Sequence, residues 1–171
     1  MSILKVNTIM DKGGNTLLSS DGAGTISSGG AITNTPAFNV YLSADQSLSS
    51  GATTLITFDT VEFDTANCYS TSTSRFTPTV AGKYWIYSQG RPNTASDQDS
   101  WELAIYKNGT KVIEGTFRNE YYDVMSIGKA VEFNGTTDYA EVKVYQNTGG
   151  AVNWAGGTRL GFFGAYKLIG A

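Results

Sequence analysis

The chain has no histidine and one cysteine, Cys68, among 171 residues. Ser-His-Asp and Cys-His constellations therefore cannot be assembled, and neither can a histidine-based metal centre. A single cysteine closes no bridge within the chain, so Cys68 reads as a small buried apolar residue. What remains for chemistry is 15 carboxylates, 12 Lys and Arg, ten Tyr, eight Phe and three Trp. A glycoside hydrolase would need a pair of these carboxylates as its acids, and no motif marks one. Aromatic rings interleaved with Asn, Asp and Arg suit sugars better. Ring faces stack on the apolar side of a sugar, and the polar groups take its hydroxyls. Three stretches have that make-up. QGRPNTASDQDSW carries Arg91, Asn93, Asp97 and Asp99; FRNEYYDVM carries Tyr121 and Tyr122; QNTGGAVNWAGGTR sets Trp154 between glycine pairs.

These stretches need a scaffold, and the composition says which kind. Hydrophobic residues make up 40% of the chain, enough for a core, while charged residues make up only 16%. Solubility carried by Ser, Thr, Asn and Gly rather than by charge is typical of β-rich chains that meet copies of themselves. Net charge is −3 with no run of Lys and Arg, so neither nucleic acid nor an anionic membrane is an expected partner. No stretch approaches the ~20 apolar residues of a spanning helix, and MSILKVNTIM lacks a signal-peptide core.

Residues 1–35 differ from the rest. They are rich in Gly, Ser, Thr and Asn, with Ile3, Leu4, Val6, Ile9, Leu17 and Leu18 set among them. By itself such a segment buries too little apolar area to offset its chain entropy. A flexible linker, however, has no need of those aliphatic residues. The segment reads as an anchoring arm held by other chains.

From residue 36 onward the pattern has period two. Phe38, Val40 and Leu42 alternate with polar residues, as do Trp101, Leu103 and Ile105, and Ala140, Val142 and Val144. Asn108-Gly109 supplies the two positive-φ positions of a type I′ hairpin turn, which predicts Ile105 opposite Val112. The apolar parity slips between Phe58 and Val61, marking a bulge or turn near Asp59-Thr60. No segment keeps a helical period. Eight or nine short strands with turn signals between them predict an all-β sandwich or jelly roll.

The stretch RFTPTVAGKYWIYSQG carries the most information. Pro78 ends one strand and Ala81-Gly82 turns the chain. The next strand then sets Tyr84 and Ile86 on one face, and Trp85 and Tyr87 on the other. A strand apolar on both faces is buried on both. One face meets the second sheet; the other is predicted to meet another subunit. Phe163 is assigned with Trp85 and Tyr87 to that outward face.

Phe76-Thr77-Pro78, three residues, then Gly82-Lys83-Tyr84 and an aromatic strand resembles the signature of C1q/TNF-like jelly rolls. LAIYKNGTKV resembles their central hairpin and FFGAYKLI their closing strand, so the resemblance spans about residues 36–171. It implies a homotrimer closed around a three-fold axis, with no catalytic residues and no cofactor. Some such domains bind calcium, and Asp97 and Asp99 offer oxygen ligands. Their spacing matches no calcium loop, so no metal site is assigned. The arm, SILKVNTIMDKGGNTLLSSDGAGTIS, resembles the start of structural proteins of tailed bacteriophages. That implies a virion surface protein, a tail fibre or capsid decoration, made in the host cytoplasm and released by lysis. The arm would contact other virion proteins, and the head would face the host. The alternative is a carbohydrate receptor-binding module whose main task is to recognise a host surface glycan.

Overall fold

The computed structural model describes residues 6–28, 34–93, 100–118 and 123–169. These residues form strands and loops with no helix. The order is β1 (Thr8–Met10), β2 (Thr16–Ser20), β3 (Ile26–Ser28), β4 (Ala37–Tyr41), β5 (Gln46–Leu48), β6 (Thr53–Leu55), β7 (Thr60–Asp64) and β8 (Tyr69–Ser70). There follow β9 (Arg75–Phe76), β10 (Gly82–Gly90), β11 (Ser100–Lys107), β12 (Thr110–Arg118), β13 (Met125–Phe133), β14 (Ala140–Gln146), β15 (Val152–Trp154) and β16 (Phe162–Lys167). The strands outnumber the sequence expectation because the arm adds three and because β5, β6, β8, β9 and β15 are separate pieces of two or three residues.

Two antiparallel sheets make the sandwich. The first has the order β13-β10-β16-β4-β7. The second runs β12-β11-β14-β9-β8, with β6 also pairing to β14. A two-stranded ribbon, β15-β5, lies beyond them, and the arm forms its own sheet, β1-β2-β3. The parity slip between Phe58 and Val61 marks neither a simple bulge nor a hairpin. β6 belongs to the second sheet and β7 to the first, so the chain changes sheet between them. Ile56 and Phe58, fully buried, fill the crossover.

Period-two alternation places the core as expected in most strands. Phe38 and Val40 of β4, Tyr84 and Ile86 of β10, Leu103 and Ile105 of β11, and Val142 and Val144 of β14 are all buried. The centre is aromatic. Phe38 stacks on Phe76 at 4.6 Å between centroids and receives the edge of Phe163 at 5.0 Å. Phe133 and Tyr84 continue the cluster edge-on to Phe76. Such pairs each contribute about 0.5–1.5 kcal/mol beyond the area they bury.

Two register expectations are corrected. Asn108 and Gly109 do form the turn, both with positive φ, and Lys107 pairs with Thr110. A bulge between Ile105 and Tyr106 then pairs Ile105 with Ile113, not Val112. Phe163 does not face outward with Trp85 and Tyr87. It is 0% exposed and packs among Phe38, Phe58 and Tyr69. Both parities of β16 are apolar, so alternation could not choose between Phe162 and Phe163. Pairing decides it: Phe163 stands opposite the buried Ser88, and Phe162 opposite Gln89.

Truncating a ring so placed leaves a cavity. Phe163→Ala is expected to destabilise the chain by about 3–5 kcal/mol in urea unfolding. A loss below about 1 kcal/mol would put the ring outside the core.

Candidate functional site: the aromatic face of the first sheet

The first sheet turns its other face away from the core. Trp85 and Tyr87 of β10 stand there, beside Phe162 and Tyr166 of β16 and Phe63 of β7. Phe63 is 46% exposed and Trp85 38%. Their positions follow from the pairing. Trp85 is opposite Tyr166 on β16 and Ala130 on β13; Tyr87 is opposite Gly164 and Gly128. Sequence reasoning located Trp85 and Tyr87 on this face and missed Phe162, Tyr166 and Phe63.

Two glycines let the rings lie flat on the sheet. A Cβ at Gly164 would sit 2.5 Å from the phenol oxygen of Tyr87 and 2.8 Å from Asn39 Oδ1. A Cβ at Gly128 would sit 2.9 Å from Trp85 Cζ2. Tyr87 therefore lies across Gly164, and Trp85 across Gly128. Glycine inside a strand often marks such a close approach, which was the available sequence signal. The Tyr87 ring meets Phe162 edge-on at 6.2 Å and Tyr166 at 6.5 Å. Burial raises the Tyr87 phenol above its ordinary pKa, helped by the neighbouring Tyr166 and Glu62. The phenol is neutral at physiological pH.

Polar groups border and interrupt the face: Lys83, Gln89, Ser126 and Glu132 share the parity of Trp85 and Tyr87, and Asn39 lies among the rings. Asn39 donates through Nδ2 to Glu62 of β7. Its Oδ1 is shut off from solvent and accepts no hydrogen bond from any described residue. An orphaned buried acceptor costs about 1–3 kcal/mol unless something donates to it.

β7, which carries Phe63, is held by the carboxylate that follows. Asp64 Oδ2 accepts from the Tyr69 amide at 2.8 Å, and Oδ1 from the Cys68 amide at 3.0 Å and the Ala66 amide at 3.2 Å. The Cys68 thiol also donates to Oδ1, at 3.2 Å. Burial and this carboxylate both push the thiol pKa upward, so Cys68 is an inert thiol. No sequence motif announced Asp64, because its partners are backbone groups.

The loop end of the sandwich is a separate region. Asp45 accepts from the Gly156 amide at 2.9 Å and from Asn93 Nδ2 at 2.7 Å. Arg91 and Asn93 flank Pro92, which bridges to Trp154. Arg91 is half-buried and Asn93 exposed. Trp154 does not face a ligand. It is fully buried, 5.9 Å from Trp101, with its ring against Gly90, where a Cβ would clash at 2.3 Å. The flanking glycine pairs suggested an exposed loop, but β15 pairs with β5 and folds the indole inward. Asp97, Asp99, Tyr121 and Tyr122 lie outside the described residues, as do Ile3 and Leu4. Of the remaining arm residues, Val6, Ile9 and Leu17 are exposed and Leu18 is half-buried. No group of three or more Cys, Asp and Glu side chains gathers as a metal set among the described residues.

Burial by itself would raise the Asp64 pKa, but the hydrogen bonds from Tyr69, Cys68 and Ala66 outweigh it and leave it below the usual 3.8. A depressed carboxylate contributes stability above its unfolded pKa and loses it as pH falls through the folded value. Asp64→Asn should therefore lower the melting temperature at pH 7 and flatten its fall below about pH 4. An unchanged acid limb in thermal melts would remove Asp64 from this role.

No protein-family profile matches the chain, and no curated protein matches it. Solved structures do. The Eiger TNF of S. frugiperda superposes at a TM-score of 0.57 and 16% identity, covering 79% of this chain and 93% of that one. Murine APRIL at pH 8.5 gives 0.57 at 13% identity, covering 77% and 99%. The globular domain of zebrafish complement 1qA gives 0.52 at 14% identity, covering 78% and 97%. At these identities the shared property is the fold, and the chain is an antiparallel sandwich of the TNF/C1q jelly-roll type.

Proposed function

We propose that the chain is a homotrimeric, non-enzymatic structural protein of a tailed-phage virion, attached by its N-terminal arm, with its jelly-roll head exposed to the host surface. The observation that carries the trimer is the outward face of the first sheet. Trp85, Tyr87, Phe162, Tyr166 and Phe63 form an apolar surface there. Burying an aromatic side chain fully is worth about 1.5–3 kcal/mol. Repeated at three interfaces, several such rings would hold a permanent assembly. Domains of the TNF/C1q type are typically homotrimeric, which supports three copies over two. The virion assignment draws on the arm's resemblance to the start of phage structural proteins.

A second reading is a carbohydrate receptor-binding module. Asp45, Arg91 and Asn93 favour it as a polar cluster at the loop end of the head. Trp154 supplies no stacking platform there, being buried. Retention of the chain on a host-glycan array, lost in Asn93→Ala with the assembly intact, would favour this reading over the structural one.

Sedimentation of the full chain tests the trimer. The expected mass is three times 18.3 kDa. Trp85→Glu, which puts a charge on the outward face, should sediment as a single folded chain. A wild-type chain that sediments singly at micromolar concentration overturns the trimer. An antibody to the head should decorate phage particles in electron micrographs, and particles lacking the chain overturn the virion assignment.

A further inference from the structure

The arm sheet has the same imbalance as the head, on a smaller scale. Register pairs Ile9 with Leu18 and Ser20 with Ile26, so these four share one face. They line, with Val6, Asn7, Thr8 and Ser19, a shallow hollow of about 110 Å³. Ile26 is 69% exposed, and Val6, Ile9 and Met10 are about half exposed. The sheet pairs with no strand of the sandwich among the described residues. Three strands of three, five and three residues find no second layer for this face in any sheet of the described residues. Such a sheet is marginal in water without one.

We propose that this face packs against the same face of the neighbouring chains, closing a second apolar joint beside the one between the heads. Three features select a copy of the chain as the occupant. First, among the described residues the face carries Ile, Leu, Asn and Ser and no charge. The nearby Asp11 and Asp21 are turned into their own hairpins, accepting from Asn15 and from Ala23 and Thr25. Nothing on the face repels an identical one, and no charge on it selects a foreign one. Second, β3 ends at Ser28 and β4 begins at Ala37, so eight residues join the arm to the head. Fully extended they span at most roughly 29 Å. Third, β4 is a strand of the very sheet that bears the aromatic face. Chains joined there hold their arms at an effective concentration on the order of millimolar, well above that of an untethered partner. The opposite face, with the exposed Leu17, stays free for attachment to the particle. This joint rests on the trimeric reading above.

Full-length Ile9→Cys and Leu17→Cys variants test it, since Ile9 pairs with Leu18 and the adjacent Leu17 points to the other face. Under copper-phenanthroline oxidation, Ile9→Cys is expected to give disulfide-linked dimers on a non-reducing gel and Leu17→Cys only a trace. In the wild-type protein the Ile9, Leu18 and Ile26 amides should be protected from hydrogen exchange, and Leu18→Asp should abolish that protection. A three-chain mass with no Ile9→Cys dimer and freely exchanging arm amides overturns the joint alone and leaves the face to another virion protein. A single-chain mass overturns the joint together with the trimer.

Discussion

β10 has apolar rings on both of its faces, and a sandwich has only one interior. Tyr84 and Ile86 enter the core; Trp85 and Tyr87 are left on the outside. Polar outward residues would have let the domain end there, as in an antiparallel sheet with one solvated face. Instead β16 and β7 add Phe162, Tyr166 and Phe63 to the same side. The unsatisfied area belongs to the sheet as a whole, and it is the basis of the trimeric proposal.

The details of that sheet serve the same end. Gly128 and Gly164 remove the side chains that would stand beneath Trp85 and Tyr87, so both large rings lie down on their neighbours. A flatter surface can approach another chain more closely. Asn39 donates through Nδ2 to Glu62 and so ties β4 to β7 through their side chains. The carboxylate of Asp64 holds the turn after β7 through backbone amides and so fixes the strand that carries Phe63.

At the loop end the pattern reverses. Trp154, which composition alone would place in solvent as a sugar platform, fills space between Trp101 and Gly90. Asp45 ties the segment around Asn93 to Gly156. That end of the sandwich is thus closed by an aromatic plug and a carboxylate clasp, and among the described residues most of the exposed large apolar side chains lie on the sheet face and on the arm.

The sequence by itself determined the all-β class, most of the core parity, the hairpin turn at Asn108-Gly109 and the two-faced character of β10. Each rests on local physics: alternation of side chains along a strand, or a positive φ that Asn and Gly tolerate. The N-terminal arm was legible as distinct because its composition changes. Only the tertiary structure decided which of two adjacent phenylalanines in β16 enters the core, because the choice depends on what stands opposite each one. It also decided that the chain changes sheet between Phe58 and Val61, that Trp154 turns inward, and that Asp45 and Asp64 are organising groups. Those facts depend on partners dozens of residues away or on backbone amides, which carry no signature in the order of side chains.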